Sequence, residues 1–241
     1  MKSLKSTLFF RSSRTKIDLA SSKRLTFGEK ENYNNNMRMS IIPIKILTLL
    51  FLLTFNSDAA LLKPGENMRP FSLPAVDGQI FRVRMDKGQL KVERIEASGN
   101  LLSVSTPEVI LLDFWATWCL PCRAAMPHLE KLYQQFLARE ENKGRVEFFG
   151  VALDKPGVPI IKPFLQKIKL SYPQLCGSLE SSLSGLICSA QEMASEYRVQ
   201  EIPVVYLINR QGKIVYGHVG FKEEYIKEME KIIFSLLKGN Q

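Results

Sequence analysis

Apolar residues are distributed unevenly along the chain, and their spacing changes character several times. Residues 46–55 read Ile-Leu-Thr-Leu-Leu-Phe-Leu-Leu-Thr-Phe, an unbroken apolar run with no amphipathic period. After it, 71–83 reads as an extended lead-in, a turn at Asp77-Gly78 and a strand near 80–83. Polar alternation over 84–105 predicts a further hairpin or a loop. Residues 109–116, Val-Ile-Leu-Leu-Asp-Phe-Trp-Ala, form a continuous apolar stretch of the length and kind expected for a central strand covered on both faces. Residues 120–139 follow with helical spacing, Leu129, Leu132, Tyr133, Phe136 and Leu137 making one stripe. A second buried strand is predicted at 147–153, a helix at 160–168, a strand at 204–209 paired with 214–219 across the turn 209–212, and a closing helix at 225–237. Strand, helix, strand, helix, hairpin, helix is an α/β order with a central mixed sheet flanked by helices, preceded by an N-terminal β extension.

The run at 46–55 has a basic flank, Arg38 and Lys45, and is followed by Asn-Ser-Asp-Ala-Ala. Ten helical residues rise about 15 Å, half of a hydrocarbon core of about 30 Å. This is the form of a secretory signal, with a cleavage site after Ala59, although a signal anchor lengthened by Ile41, Ile42 and Ile44 remains open. Residues 37–59 are therefore expected to be a signal peptide or anchor, which places the mature protein outside the cytoplasm, in the periplasm, with a membrane tether if uncleaved. Residues 1–36, rich in Ser, Asn and Lys, are expected to be a disordered or over-extended N-terminus, with an organellar transit peptide as the rival. From residue 60 to 241 the chain has the size of one domain.

The formal net charge of +9 invites a nucleic-acid reading, but residues 1–40 hold nine Lys and Arg against three acids, so most of the excess lies there. The remainder mixes both signs and has no basic stripe with interleaved aromatics, so no nucleic-acid partner is expected.

The chemistry is concentrated at Cys119-Leu120-Pro121-Cys122, where the central strand gives way to the long helix. Unpaired amide N–H groups and the positive end of the helix dipole stabilise a thiolate in the first turn, so Cys119 is the expected nucleophile. Cys122, one turn on, can attack the mixed disulfide and release the partner. Pro121 sits at an early helical position where it costs little. Half of a zinc site, haem attachment and a purely structural disulfide are the competing readings. No second Cys-x-x-Cys or His-x-x-x-His exists, Arg123 stands where haem attachment needs His, and Trp115 and Trp118 flank the pair, so no metal and no cofactor are expected.

The segment from Phe114 to Pro127, followed about eighty residues later by Ile202-Pro-Val-Val-Tyr-Leu-Ile-Asn-Arg-Gln-Gly212, resembles the TlpA/ResA-type thioredoxins over roughly 71–237. The resemblance implies a thioredoxin-like fold and a protein disulfide reductase. It also implies a cis bond before Pro203, with Ile202 as the residue that docks an extended substrate segment. By the same matching, Trp118, Leu120, Pro121 and Gly220 complete the groove. Protein disulfides are the implied substrates, apocytochrome c or a copper-site assembly protein among them, with a membrane thiol carrier of the DsbD/CcdA type as electron source. A net oxidase or isomerase, and a copper-binding assembly chaperone, are the alternatives.

Two positions depart from that type. The glutamate usually found six positions after the first cysteine is Ala125, and the Asn six positions before it is Asp113, as in thioredoxin itself. Asp113 is therefore a candidate proton acceptor for Cys122, with a hydrogen-bonded structural role as the alternative. His128 and His218 have no partner in a recognisable pattern. Cys176 and Cys188 bracket a Ser- and Gly-rich stretch, 175–190, that looks like an insertion. In an exported protein they are expected to pair as a structural disulfide worth about 3 kcal/mol in the chain-entropy model.

Overall fold

A computed structural model describes residues 60–179 and 185–239. The expected N-terminal extension at 1–36 and the expected signal at 37–59 lie outside the described residues. The central apolar stretch is strand β5 (Val109–Trp115), buried at every position. It has β6 (Val146–Ala152) parallel on one side and β8 (Val204–Asn209) antiparallel on the other. With β7 (Gln174–Cys176) and β9 (Ile214–Val219) they form a five-stranded mixed sheet in the order β7-β6-β5-β8-β9.

Alternation along β5 sorts its side chains between two cores. Ile110, Leu112 and Phe114 pack on one face with Phe149, Val151, Tyr206 and Ile208. Val109 and Leu111 pack on the other, against α1 (Leu120–Leu137) and the C-terminal α4 (Glu223–Lys238), through Leu129, Leu132, Phe136, Met229 and Ile233. Each such apolar side chain removed from water contributes roughly 1.5–3 kcal/mol. Strand β5 is thus the shared wall of both cores, and its continuous apolar pattern has that cause. Among the described residues the other α-helices are α2 (Val158–Lys167), after β6, and α3 (Ala190–Glu196), before β8.

The N-terminal extension is a four-stranded antiparallel sheet in the order β1-β2-β3-β4, from Phe71–Pro74, Ile80–Asp86, Gln89–Ile95 and Leu101–Ser105. Its inward side chains, Phe71, Leu73, Phe81, Val83, Leu90 and Val92, cover the first face of the larger sheet. The region read as hairpin or loop is therefore two paired strands, β3 and β4. Of the two alternatives the hairpin is the one formed, and its second strand, β4, is exposed almost throughout.

The stretch expected to be an insertion carries regular structure at both of its described ends. It begins in β7, and α3 starts at its end, capped by Ser189, whose Oγ accepts from Glu192 N–H at 3.1 Å.

Candidate active site

The redox pair stands at the C-terminal edge of β5. Cys119 is the N-cap of α1, with extended backbone (φ −81°, ψ 104°), and its Sγ accepts from the Cys122 N–H at 3.2 Å. An N-cap is normally an oxygen side chain that satisfies a first-turn donor, and here the sulfur takes that place. A thiolate on Cys119 would therefore lie on the positive end of an 18-residue helix. The two sulfurs are joined as a disulfide, with Cα atoms 5.3 Å apart.

The turn that holds the pair is anchored from β6. Asp154, buried just beyond that strand, accepts from Thr117 N–H at 2.9 Å and from Thr117 Oγ1 at 2.6 Å. Trp115 is fully buried and donates its Nε1–H to Gln174 Oε1 at 2.9 Å, while the Gln174 amide donates to the Tyr172 carbonyl. Gly150 makes room for this clamp, since a Cβ there would overlap the Gln174 side chain. Sequence reasoning missed Asp154, Thr117 and Gln174. Their partners lie 37 and 59 residues away, and no local period marks them.

Exposure separates the two sides of the pair. Cys119 and Cys122 are buried, while Trp118 and Leu120 are about 70% exposed, at 70% and 71%, and Pro121 is exposed beside them. The Ile202–Pro203 bond is cis, as the resemblance implied. The Ile202 carbonyl oxygen lies 3.7 Å from Cys119 Sγ. Gly220, in the left-handed region at φ +81°, donates its N–H to the Pro203 carbonyl at 2.8 Å, so the ends of β8 and β9 hold these residues side by side.

Asp113 lies two residues before Trp115 on β5, on the same face as Val109 and Leu111, beneath α1. It is 2% exposed, and burial raises its pKa to about 7. The nearby Tyr172 hydroxyl pulls in the opposite direction, yet neither that hydroxyl nor Asp113 Oδ1 makes a hydrogen bond of good geometry. The departure at Ala125 falls on the same core, where Ala125 is buried in α1.

Residues 107–214 match the thioredoxin-like family model. This chain carries a thioredoxin-like domain. Its closed Cys119–Cys122 pair, together with the relatives that follow, makes it a thiol-disulfide oxidoreductase. The chain is 27% identical to the thiol-disulfide oxidoreductase ResA of Halalkalibacterium halodurans over 200 residues, 82% of this chain and 93% of that protein. It is 25% identical to the protein of the same name from Oceanobacillus iheyensis over 73% of this chain and 77% of that one. Among solved structures, a putative thiol:disulfide interchange protein DsbE from Chlorobium tepidum shares the fold, with a TM-score of 0.50 at 23% identity over 73% of this chain and 99% of that chain.

The expected disulfide between Cys176 and Cys188 is not formed. Cys176 ends β7 and is buried with Trp115, Cys119, Cys122 and Ile161. Burial, reinforced by the Asp154 carboxylate, pushes its thiol up to about 11. Cys188 belongs to the returning chain. Ser178 bridges Ser189, and Leu179 N–H donates to the Cys188 carbonyl at 2.9 Å. That register sets Cys188 opposite Leu179, three residues along from Cys176. A disulfide needs Cβ atoms within about 4.5 Å, which opposed residues reach and residues offset by three do not.

Proposed function

We propose that the protein reduces disulfides in exported protein partners, with Cys119 as the attacking sulfur. The observation that carries this reading is the Cys119–Cys122 pair capping α1 while the Ile202 carbonyl faces Cys119 Sγ at 3.7 Å. In the reduced protein the Cys119 thiolate attacks one sulfur of the partner's disulfide. A Cys119–partner disulfide forms and the other partner sulfur leaves as a thiolate. The Cys122 thiolate then attacks Cys119 Sγ, closing the internal disulfide and releasing the second partner thiolate. Two electrons pass to the partner, which takes up two protons.

Asp113 is the acceptor for the Cys122 proton, because burial holds its carboxyl near neutral pH, where it can both take and return a proton. With Ala125 in place of a helix-borne acid, the strand supplies the only carboxylate proposed for this step. Trp118, Leu120, Pro121, Ile202, Pro203 and Gly220 form the face that receives an extended partner segment. The resemblance supports apocytochrome c maturation as the setting and a DsbD/CcdA-type carrier as the electron source. The apolar run at 46–55 supports a periplasmic location. The test is the reduction potential of the Cys119/Cys122 couple. A value near about −270 mV supports a reductant, and one near about −120 mV makes the protein an oxidant.

A further inference from the structure

Beside the turn that carries the redox pair lies an open cleft of about 430 Å³ between the start of α1 and helix α2. That volume is in the range of about 300–1,000 Å³ typical of ligand clefts. Its walls are Thr117 and Arg123 on one side and Ile160, Phe164, Lys167 and Ile168 on the other. The Arg123 guanidinium sits 5.9 Å above the Phe164 ring, which holds the cation over an apolar floor. Ile160, one of the lining residues, is 44% exposed, and Val158 two residues before it on α2 is 40% exposed, so this end of the helix presents apolar surface.

The charged residues that line the cleft, Arg123 and Lys167, are of one sign. From residue 155 to residue 179 the chain holds four lysines and no acid. The first turn of α1 has no acid either. Asp154, just before that stretch, is buried behind Thr117, from whose N–H and hydroxyl it accepts, and does not line the cleft. Arg123 and Lys167 thus bracket an apolar cleft with no counter-charge among its lining residues.

We propose that this cleft is a specificity subsite that receives an acidic side chain next to an apolar one, in the extended partner segment flanking the reacting cysteine. The proposal rests on the exchange reading above and adds the partner's chemistry to it. Trp118 and Leu120 bury the residues beside the reacting disulfide. The cleft takes an apolar side chain against Phe164 and Ile168, and Arg123 and Lys167 attract the neighbouring carboxylate. Charges at the rim of such a surface act mainly on the rate of encounter and on the choice among partners.

The test uses two synthetic peptides that each contain one disulfide and differ only at a single flanking position, Glu in one and Lys in the other, next to a Leu. Reduction of each by the reduced protein is followed at low salt. The wild type is expected to reduce the Glu peptide about tenfold faster, with the ratio falling toward one as salt is added. Lys167→Glu should bring the ratio to one or below, and Lys167→Gln should fall between. Ile160→Ser should slow both peptides alike, leaving the ratio unchanged. A wild-type ratio of one, a preference for the Lys peptide, or a ratio unaltered in Lys167→Glu overturns the subsite while leaving disulfide exchange intact. Failure of the wild type to reduce either peptide overturns the exchange reading and the subsite together.

Discussion

Two pairs of cysteines lie at similar depth in this domain, yet only one is built for exchange. Cys119 and Cys122 are buried to 4% and 1%, and Cys176 to 1%, so accessibility of the sulfurs does not distinguish them. The difference lies in what surrounds each. Cys119 caps a helix, receives an N–H, faces the Ile202 carbonyl of the cis-proline loop and has the exposed Trp118 and Leu120 beside it. Cys176 ends a three-residue strand, faces a buried cluster and has a carboxylate nearby that disfavours its thiolate. Spacing explains the rest. Three residues along a helix bring two sulfurs within bonding distance, whereas Cys176 and Cys188 sit on paired segments three residues out of register.

The largest effect expected from this contrast is at the helix cap. Cys119→Ser should lower disulfide exchange by roughly a thousandfold or more, and Cys122→Ser should leave the protein linked to its partner as a stable mixed disulfide. Turnover recovered in either variant, read on non-reducing gels and by kinetics, would remove the contrast.

Asp113→Asn should slow exchange by about a hundredfold if the carboxylate relays the Cys122 proton, and the rate should lose its inflection near neutral pH. The same change has a stability signature of definite sign. The folded-state pKa is about 7 against an ordinary value of 3.8, so between those values the folded protein keeps a proton that the unfolded chain has lost. Stability from this group is fully present below pH 4 and declines as pH rises through 7, by a few kcal/mol in total. Asp113→Asn should therefore flatten the denaturation midpoint against pH over that window and stabilise the protein at pH 8. A midpoint profile identical to wild type would show that Asp113 is not ionised by burial-shifted titration.

The smallest effect belongs to the second pair. Cys176→Ala should change exchange by no more than about twofold and cost about 1 kcal/mol of stability. In the oxidised native protein Cys176 should resist alkylation until the chain is unfolded, as peptide mapping by mass spectrometry would show. Rapid native labelling, or loss of turnover in Cys176→Ala, would place this thiol in the redox chemistry.

The central sheet was legible because β5 and β6 are covered on both faces and therefore apolar at all but one position each, Asp113 and Glu147, and α1 because its stripe faces one core. The redox pair was legible because its chemistry is local, fitting within a single helical turn. Strands β3 and β4 were legible only as a hairpin or a loop, since exposed positions along β4 do not decide between them. Helix α3 was not legible, being only seven residues long and starting where a Ser- and Gly-rich stretch ends. The Asp154–Thr117 anchor and the Gln174–Trp115 clamp escaped for another reason. They are contacts between strands far apart in sequence, and a single polar residue carries no period. The Cys176–Cys188 expectation failed on register, which two cysteines and a loop length do not specify.

The claim most open to direct test is that the α1 cap makes Cys119 the reactive sulfur of the four. The reduced protein should be treated with less than one equivalent of iodoacetamide at several pH values and the adducts located by peptide mapping. The account predicts that Cys119 is modified first, and at pH values well below the ordinary thiol range, with Cys122 and Cys176 untouched at that stage. First modification at Cys122 or Cys176, or a Cys119 that reacts only at the pH of an ordinary thiol, would contradict it.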